Sequence, residues 1–179
     1  TLAGQYSIDP ERIYACGMSN GGFMSYRLAC ELNDRIAAVA SVTGSMVPAY
    51  VSECVPGRPV PVLEIHGTED ATVPYEGKPL LAISNSTDAS TVSFIESEGC
   101  ADRGDVWHYR INGGGHTWPG SPFAIGVTNQ DINGSAEIWH FFSRYTVSGL
   151  SSSADHPEPV RLALFPNPTR GQAEVILPE

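Results

Sequence analysis

The sequence has 179 residues with 20 acidic and 10 basic side chains, which gives a formal net charge of −10 and a pI near 4.8. This charge argues against nucleic acid or an anionic membrane surface as the main partner, because both are bound largely through cationic side chains. No run of about 20 apolar residues is present, so no membrane-spanning helix is predicted. With 41 % hydrophobic and 17 % charged residues, the chain resembles an ordinary globular domain with a short addition.

Apolar runs and helical spacing predict the elements in chain order. We expect strands over residues 12–16, 37–42, 60–65 and 106–111, and helices over 21–33 and 136–145. The first helix is predicted from Met24, Leu28 and Leu32, which lie four residues apart on one face. Short, non-alternating apolar strands separated by helical or loop segments are typical of a parallel sheet covered on both faces. The predicted fold class is therefore α/β.

The composition changes near residue 148. Residues 1–148 form the predicted globular part, and residues 149–159 are mostly small, polar or proline, as in a flexible linker. Residues 160–179 contain strand-like alternation, but 20 residues cannot bury enough surface to fold alone.

A G-x-S-x-G pentapeptide, Gly17–Gly21, lies between the first predicted strand and the first predicted helix. A sharp strand-to-helix turn would hold Ser19 in a strained conformation, and the flanking glycines would remove Cβ atoms that collide there. Ser19 would then be a nucleophile, and the backbone N–H of Asn20 would donate to the oxyanion. The alternative is that Ser19 only caps the helix.

A serine nucleophile needs a histidine that takes its proton and a carboxylate that orients the histidine. In α/β-hydrolases the chain order is Ser, then acid, then His, each after a strand. Asp70 follows the third predicted strand, and His116 follows the fourth within a glycine-rich loop. Both would lie at the carboxyl edge of the sheet, where open α/β folds bind ligands.

Other residues compete for these roles. His66 ends a strand beside the acid loop, where a satisfied structural histidine is the main interpretation and a base the alternative. The remaining histidines lie in a strand, a helix and the linker and are predicted to be structural or solvated: His108, His140 and His156. Glu69 is the nearest rival acid, while the other two candidates fit a polar turn: Asp102 and Asp105.

Three segments carry a family resemblance: IDPERIYACGMSNGGFMSYRLACELNDRIAAVASVTG, RPVPVLEIHGTEDATVPYEG and INGGGHTWPG. They resemble the polyhydroxybutyrate depolymerase and feruloyl esterase relatives among secreted α/β-hydrolases, over about residues 8 to 145. The resemblance implies Ser19 as nucleophile, Asp70 as acid and His116 as base. It also implies that several strands and a second oxyanion donor precede the nucleophile strand, so we expect the chain to be N-terminally incomplete.

The tail LFPNPTRG resembles the opening of the C-terminal sorting domain of type IX secretion. It implies export, with the secretion machinery as a partner of residues 160–179; an ordinary proline-rich turn is the alternative. Four cysteines allow several pairings or free thiols, and export favours disulfides. We expect Cys30 to pair with Cys54, Cys16 to be a buried free thiol, and Cys100 to lack an obvious partner.

The sequence thus predicts an exported serine ester hydrolase that needs no cofactor and no metal. A polymeric or oligomeric ester of the polyhydroxybutyrate type is the expected substrate, and a feruloyl or acetylxylan esterase is the alternative. Three aromatic residues that follow the catalytic loops are candidates to contact substrate or else to pack those loops: Tyr75, Trp118 and Phe123. A non-catalytic secreted binding module is the alternative of another class.

Overall fold

The computed structural model describes residues 4–46, 48–77, 105–123 and 126–150. Within these ranges, four parallel strands form one sheet in the order β1-β2-β3-β4: β1 (Tyr14–Met18), β2 (Ala38–Val42), β3 (Val62–Gly67) and β4 (Val106–Ile111). The same described residues contain three helices: α1 (Asn20–Glu31), α2 (Pro48–Glu53) and α3 (Gly134–Phe142). The predicted α/β class is confirmed.

The two faces of the sheet have separate apolar clusters. Along β2 every residue is buried, and alternate side chains belong to opposite faces, as the period of a strand requires. Ala38, Ala40 and Val42 share one cluster with the aromatic residues of α3, whereas Val39 packs with Ala29 of α1. A strand buried on both faces has no alternation, which is why β2 is one continuous apolar run.

The face that α1 turns toward the sheet differs from the predicted one. Met24 is 52 % exposed and Leu32 is 38 % exposed, while the buried side of the helix consists of small residues: Gly22, Ser25 and Ala29. A Cβ on Gly22 would lie 3.0 Å from the Cα of Gly44, so this helix lies too close to the chain after β2 for large side chains. The helix was predicted correctly from an apolar face that the structure leaves partly in solvent.

Several element boundaries also differ. The first strand is shifted to Tyr14–Met18 and therefore includes Gly17, which the sequence pattern placed in the turn. Neither α2 nor the short antiparallel pair of β5 (Tyr145–Thr146) with β6 (Gly149–Leu150) was predicted. The first two residues of the predicted linker thus form β6, and residues 151–179, including the predicted sorting segment, lie outside the described residues.

The cysteines follow the prediction in part. Cys30 in α1 and Cys54 after α2 form the predicted disulfide, with 5.3 Å between their Cα atoms. Cys16 is a free thiol as expected, but it is exposed rather than buried. It lies on β1, and among the described residues no strand pairs with the outer side of β1. Cys100 lies outside the described residues.

Candidate active site

Ser19 occupies the turn between β1 and α1. Its φ of 54° and ψ of −118° put a non-glycine residue in a sparsely populated region of backbone conformation. The turn is held by a hydrogen bond from the Ser19 N–H to the Val42 carbonyl at 2.9 Å. The Ser19 side chain makes no capping hydrogen bond to α1, although the residue occupies the N-cap position. This geometry does not support the alternative that Ser19 serves only as a cap.

The two glycines around Ser19 have different roles. A Cβ on Gly17 would lie 2.6 Å from the Cα of Gly21, closer than real Cβ atoms come, so Gly17 is required by the close approach of strand and helix. A Cβ on Gly21 would meet nothing within 4 Å. The prediction that both glycines remove colliding Cβ atoms is therefore right for Gly17 and wrong for Gly21, whose backbone makes the contact.

Asp70 lies in the loop after β3 with its side chain fully buried. Its Oδ1 accepts hydrogen bonds from the backbone N–H groups of Thr72 and Val73, both at 2.8 Å. These bonds fix the carboxylate and leave Oδ2 for another donor. The rival acid, Glu69, is exposed.

His116 lies in the loop after β4, and its Nδ1 donates to Asp70 Oδ2 at 2.7 Å. Because Nδ1 carries the hydrogen in this bond, Nε2 is the basic nitrogen of the neutral ring. The His116 side chain is 20 % exposed, whereas the Asp70 side chain beneath it is fully buried. An oriented imidazole over a buried carboxylate is the arrangement that a general base requires.

The acid and histidine loops are bound to each other. Glu69 N–H donates to the Gly114 carbonyl, and Gly113 N–H donates to Thr68 Oγ1, each at 2.9 Å. A Cβ on Gly67 would lie 2.2 Å from that same Gly114 oxygen, so the backbones meet where no side chain fits. This contact sets the distance between Asp70 and His116.

Ser19, Asp70 and His116 follow β1, β3 and β4, respectively, and all three strands are parallel. The three side chains therefore belong to the carboxyl edge of one sheet. The structure brings Asp70 and His116 into contact and puts Ser19 on the same edge, with β2 between them. Asn20 is the first residue of α1, where backbone N–H groups lack partners within the helix, as an oxyanion donor must.

The three aromatic candidates differ from one another. Tyr75 is buried, its hydroxyl contacts His108 Nε2 at 3.2 Å, and its ring packs edge-on against His66. It therefore packs the acid loop, which is the alternative to substrate contact that the sequence left open. Trp118 donates from Nε1 to Ser135 Oγ at 3.1 Å and packs against the core near α3. Phe123 is 80 % exposed and stays a candidate for substrate contact.

The competing histidines and acids have other partners. His66 is buried and bonded at both ring nitrogens, as a structural histidine is. Burial lowers the pKa of His108 to about 4, with the nearby His66 and Arg110 adding to the effect, so this histidine is neutral at physiological pH. Asp105 accepts a hydrogen bond from the Tyr145 hydroxyl. His140 lies in α3, and His156 and Asp102 lie outside the described residues.

The sequence interpretation missed a buried polar network on β3. Glu64 accepts a hydrogen bond from the Tyr26 hydroxyl at 2.9 Å and contacts His66 Nδ1 at 3.1 Å. A glutamate in the apolar run Val-Leu-Glu-Ile was the available signal, because a carboxylate is almost never fully buried unless it is paired.

Within the part of the chain that the structure describes, no cluster of three or more His, Cys, Asp or Glu side chains could hold a metal ion. The helices of that part are all too short or too polar to cross a bilayer.

Comparison with known proteins supplies the family. Residues 3–94, more than half of the chain, match the family described as phospholipase/carboxylesterase. The chain belongs to this family. The matched segment contains the strand-to-helix turn at Ser19 and the acid loop at Asp70, while His116 lies beyond it.

Individual relatives in this comparison are named as esterases. The chain is 31 % identical to NocK of Nocardia uniformis subsp. tsuyamanensis, over 74 % of this chain and 51 % of NocK. It is 44 % identical to feruloyl esterase B of Piromyces equi, over 39 % of this chain and 13 % of that protein. It is 29 % identical to the bifunctional acetylxylan esterase/xylanase XynS20E of Neocallimastix patriciarum, over 84 % of this chain and 23 % of that enzyme. The chain thus spans about half the length of NocK and less of the other two.

Proposed function

We propose that the protein is a serine carboxylic ester hydrolase that works through an acyl-enzyme on Ser19. The observation that carries this proposal is the oriented His116–Asp70 pair at the sheet edge where Ser19 occupies a strained turn. Membership of a carboxylesterase family supports it.

The proposed reaction has two halves. His116 Nε2 takes the proton of Ser19 as Oγ attacks the ester carbonyl, and the Asn20 N–H donates to the oxygen that becomes negative. Collapse of this intermediate expels the alcohol, which receives the proton from His116, and leaves the acyl group on Ser19. Water then attacks the acyl group, His116 again takes a proton, and the free acid departs as Ser19 recovers its hydrogen.

The test is hydrolysis of a p-nitrophenyl ester by the full-length protein and its variants. We expect Ser19→Ala and His116→Ala to lose about 10⁴-fold or more in kcat, and Asp70→Asn to keep a small remainder. Ser25→Ala is the matched control, since it removes the hydroxyl of a serine in α1, the helix that follows Ser19. That hydroxyl donates to the Gly21 carbonyl at 2.8 Å. Activity of Ser19→Ala within tenfold of wild type would overturn the proposal and favour the non-catalytic binding module.

For the substrate, we propose feruloyl or acetyl esters of plant polysaccharide. Two of the similar proteins are named as enzymes of this kind. The exposed ring of Phe123, in the segment after His116, offers a flat apolar surface that suits an aromatic acyl group. A polyhydroxybutyrate-type polyester, which the resemblance implied, is the second candidate. Faster release of ferulate or acetate than of hydroxybutyrate from a substrate panel supports the first, and the reverse order supports the second.

We also propose that the protein is exported. The Cys30–Cys54 disulfide supports this, because such bonds persist in oxidising compartments. Secretion through residues 160–179 stays a prediction. Deleting those residues in the native host should keep the protein inside the cell, whereas unchanged secretion would contradict their role.

A further inference from the structure

A chain of buried polar groups runs from α1 to the acid loop. The Tyr26 hydroxyl donates to Glu64 Oε2 at 2.9 Å, Glu64 Oε1 lies 3.1 Å from His66 Nδ1, and His66 Nε2 bonds the Val73 carbonyl at 2.8 Å. The side chains of His66 and Glu64 are 2 % and 6 % exposed. The reaction described above does not use any of these groups.

The partners determine where the protons lie. A carbonyl oxygen only accepts, so His66 Nε2 carries a hydrogen. Glu64 Oε2 accepts from Tyr26, and a hydrogen bond between Glu64 Oε1 and His66 Nδ1 needs one proton, carried by either atom. Burial raises the pKa of Glu64. Burial alone would lower the pKa of His66, but the hydrogen bond and negative charge of Glu64 outweigh it, and the His66 pKa is raised.

His66 also faces the proposed catalytic acid. Its Nε2 lies 3.5 Å from Asp70 Oδ2, the oxygen that accepts from His116. The Tyr75 ring packs edge-on against it at 5.7 Å. Two residues of β4 face His66. Arg110 is its register partner and has its guanidinium over the Tyr75 ring, and His108 is neutral at physiological pH. Val73, which His66 binds through its carbonyl, donates its own N–H to Asp70, so His66 also supports the loop that holds the acid.

We propose that Glu64 and His66 are positioning residues of the active site: Glu64 holds His66 in its protonated form, and His66 holds the Asp70 carboxylate in place beneath His116. This inference rests on the proposed Ser19, His116 and Asp70 mechanism. It adds a second ion pair, below the acid, to the set of residues on which the rate depends.

The positive charge on His66 has a predictable effect on the pH dependence. A cation repels further positive charge nearby, so a cation beside Asp70 favours the active form of the proposed site at lower pH. Loss of that charge should move the acidic limb of the kcat/KM profile to higher pH. Because the charge of Glu64 partly compensates that of His66, we expect this limb to shift by about 0.5 to 1 pH unit.

The experiment compares the pH profiles of kcat/KM for the full-length wild type, Glu64→Gln and His66→Gln. Both variants should show the upward shift and about a tenfold lower kcat/KM at neutral pH. Tyr145→Phe is the control, because it also removes a buried hydroxyl that donates to a carboxylate, Asp105, outside this network. Folded variants with the wild-type profile would overturn the inference, and so would a shift to lower pH.

A second measurement covers variants that fail to fold. Nitrogen-15 NMR of histidine-labelled wild type reports the hydrogens on each ring directly, and His66 should carry both at neutral pH. A neutral His66 ring overturns the inference whatever the rates are. The two proposals fail separately: activity that survives Ser19→Ala refutes the proposed mechanism, whereas unshifted profiles in a Ser19-dependent esterase refute only the role of Glu64 and His66.

Discussion

Gly17 and Gly21 form a matched pair for testing the turn that presents Ser19. A Cβ at Gly17 would lie 2.6 Å from the Gly21 Cα, against backbone that cannot move aside, whereas a Cβ at Gly21 meets open space. We expect Gly17→Ala to lower the free energy of unfolding by about 2 kcal/mol or more. Gly21→Ala should be neutral or stabilise by up to about 1 kcal/mol, because alanine favours a helix. Urea denaturation checks both, and equal effects would contradict the assignment of the contact.

Buried His108 gives stability a pH dependence of known sign. Folded His108 takes up a proton only near its pKa of about 4, whereas in the unfolded chain it takes one up near the ordinary histidine pKa of 6.5. Between about pH 4 and pH 6.5 the unfolded state therefore binds more protons than the folded state, so the free energy of unfolding falls as the pH falls. Between about pH 7 and pH 5 we expect wild type to lose about 1 to 2 kcal/mol more than His108→Gln does. Equal losses in urea titrations at the two pH values would contradict this.

At the residue scale, sequence motifs predicted the candidate acid and base, but they did not predict which side chains are buried or exposed in the fold. Asp70 and His116 were predicted from their positions after strands, and the structure brings them into contact. The burial of Tyr75 and the exposure of Cys16 depend on which elements cover them, and no short sequence pattern carries that information.

At the scale of elements, the disulfide joins the end of α1 to the residue after α2. The two cysteines are separated by 24 positions in the sequence, and for a loop of this size the chain-entropy relation gives the disulfide a stabilisation of about 3 kcal/mol. Replacing Cys30 and Cys54 by alanine should lower the free energy of unfolding by about that amount, measured in urea under non-reducing conditions. Cys16→Ser is the control that leaves the bond intact, and a double variant as stable as this control would contradict the prediction.

The four strands and two longer helices could be predicted because their apolar runs extend over several residues. The six residues of α2 and the two-residue strands β5 and β6 are too short for a periodic pattern, and tertiary contacts decide their form. The face of α1 could not be predicted, because its close approach to the sheet selects small residues over Met24 and Leu32.

At the scale of the whole molecule, an apolar surface lies beside β1 in the part of the chain that the structure describes. An open hollow of about 570 Å³ lies beside this strand and is lined mainly by apolar side chains, including Ile13, Tyr14, Trp118 and Trp139. Trp139 is 63 % exposed. An edge strand beside exposed apolar surface favours association with other chains.

We therefore expect residues 1–179 expressed alone to self-associate, which sedimentation velocity over a range of concentrations will detect. Cys16→Ser should associate to the same extent, which separates apolar contact from intermolecular disulfides. A monodisperse monomer at all concentrations would contradict the prediction.

The most direct test of the central claim is covalent labelling of the full-length protein with a fluorophosphonate, followed by mass spectrometry of its peptides. Activated serine nucleophiles react with this class of reagent, and the activation depends on the paired histidine. We predict one adduct, on Ser19, that appears at wild-type rate in Ser25→Ala and is lost in His116→Ala. An active enzyme that is labelled elsewhere, or a Ser19 that reacts equally without His116, would contradict the proposed mechanism.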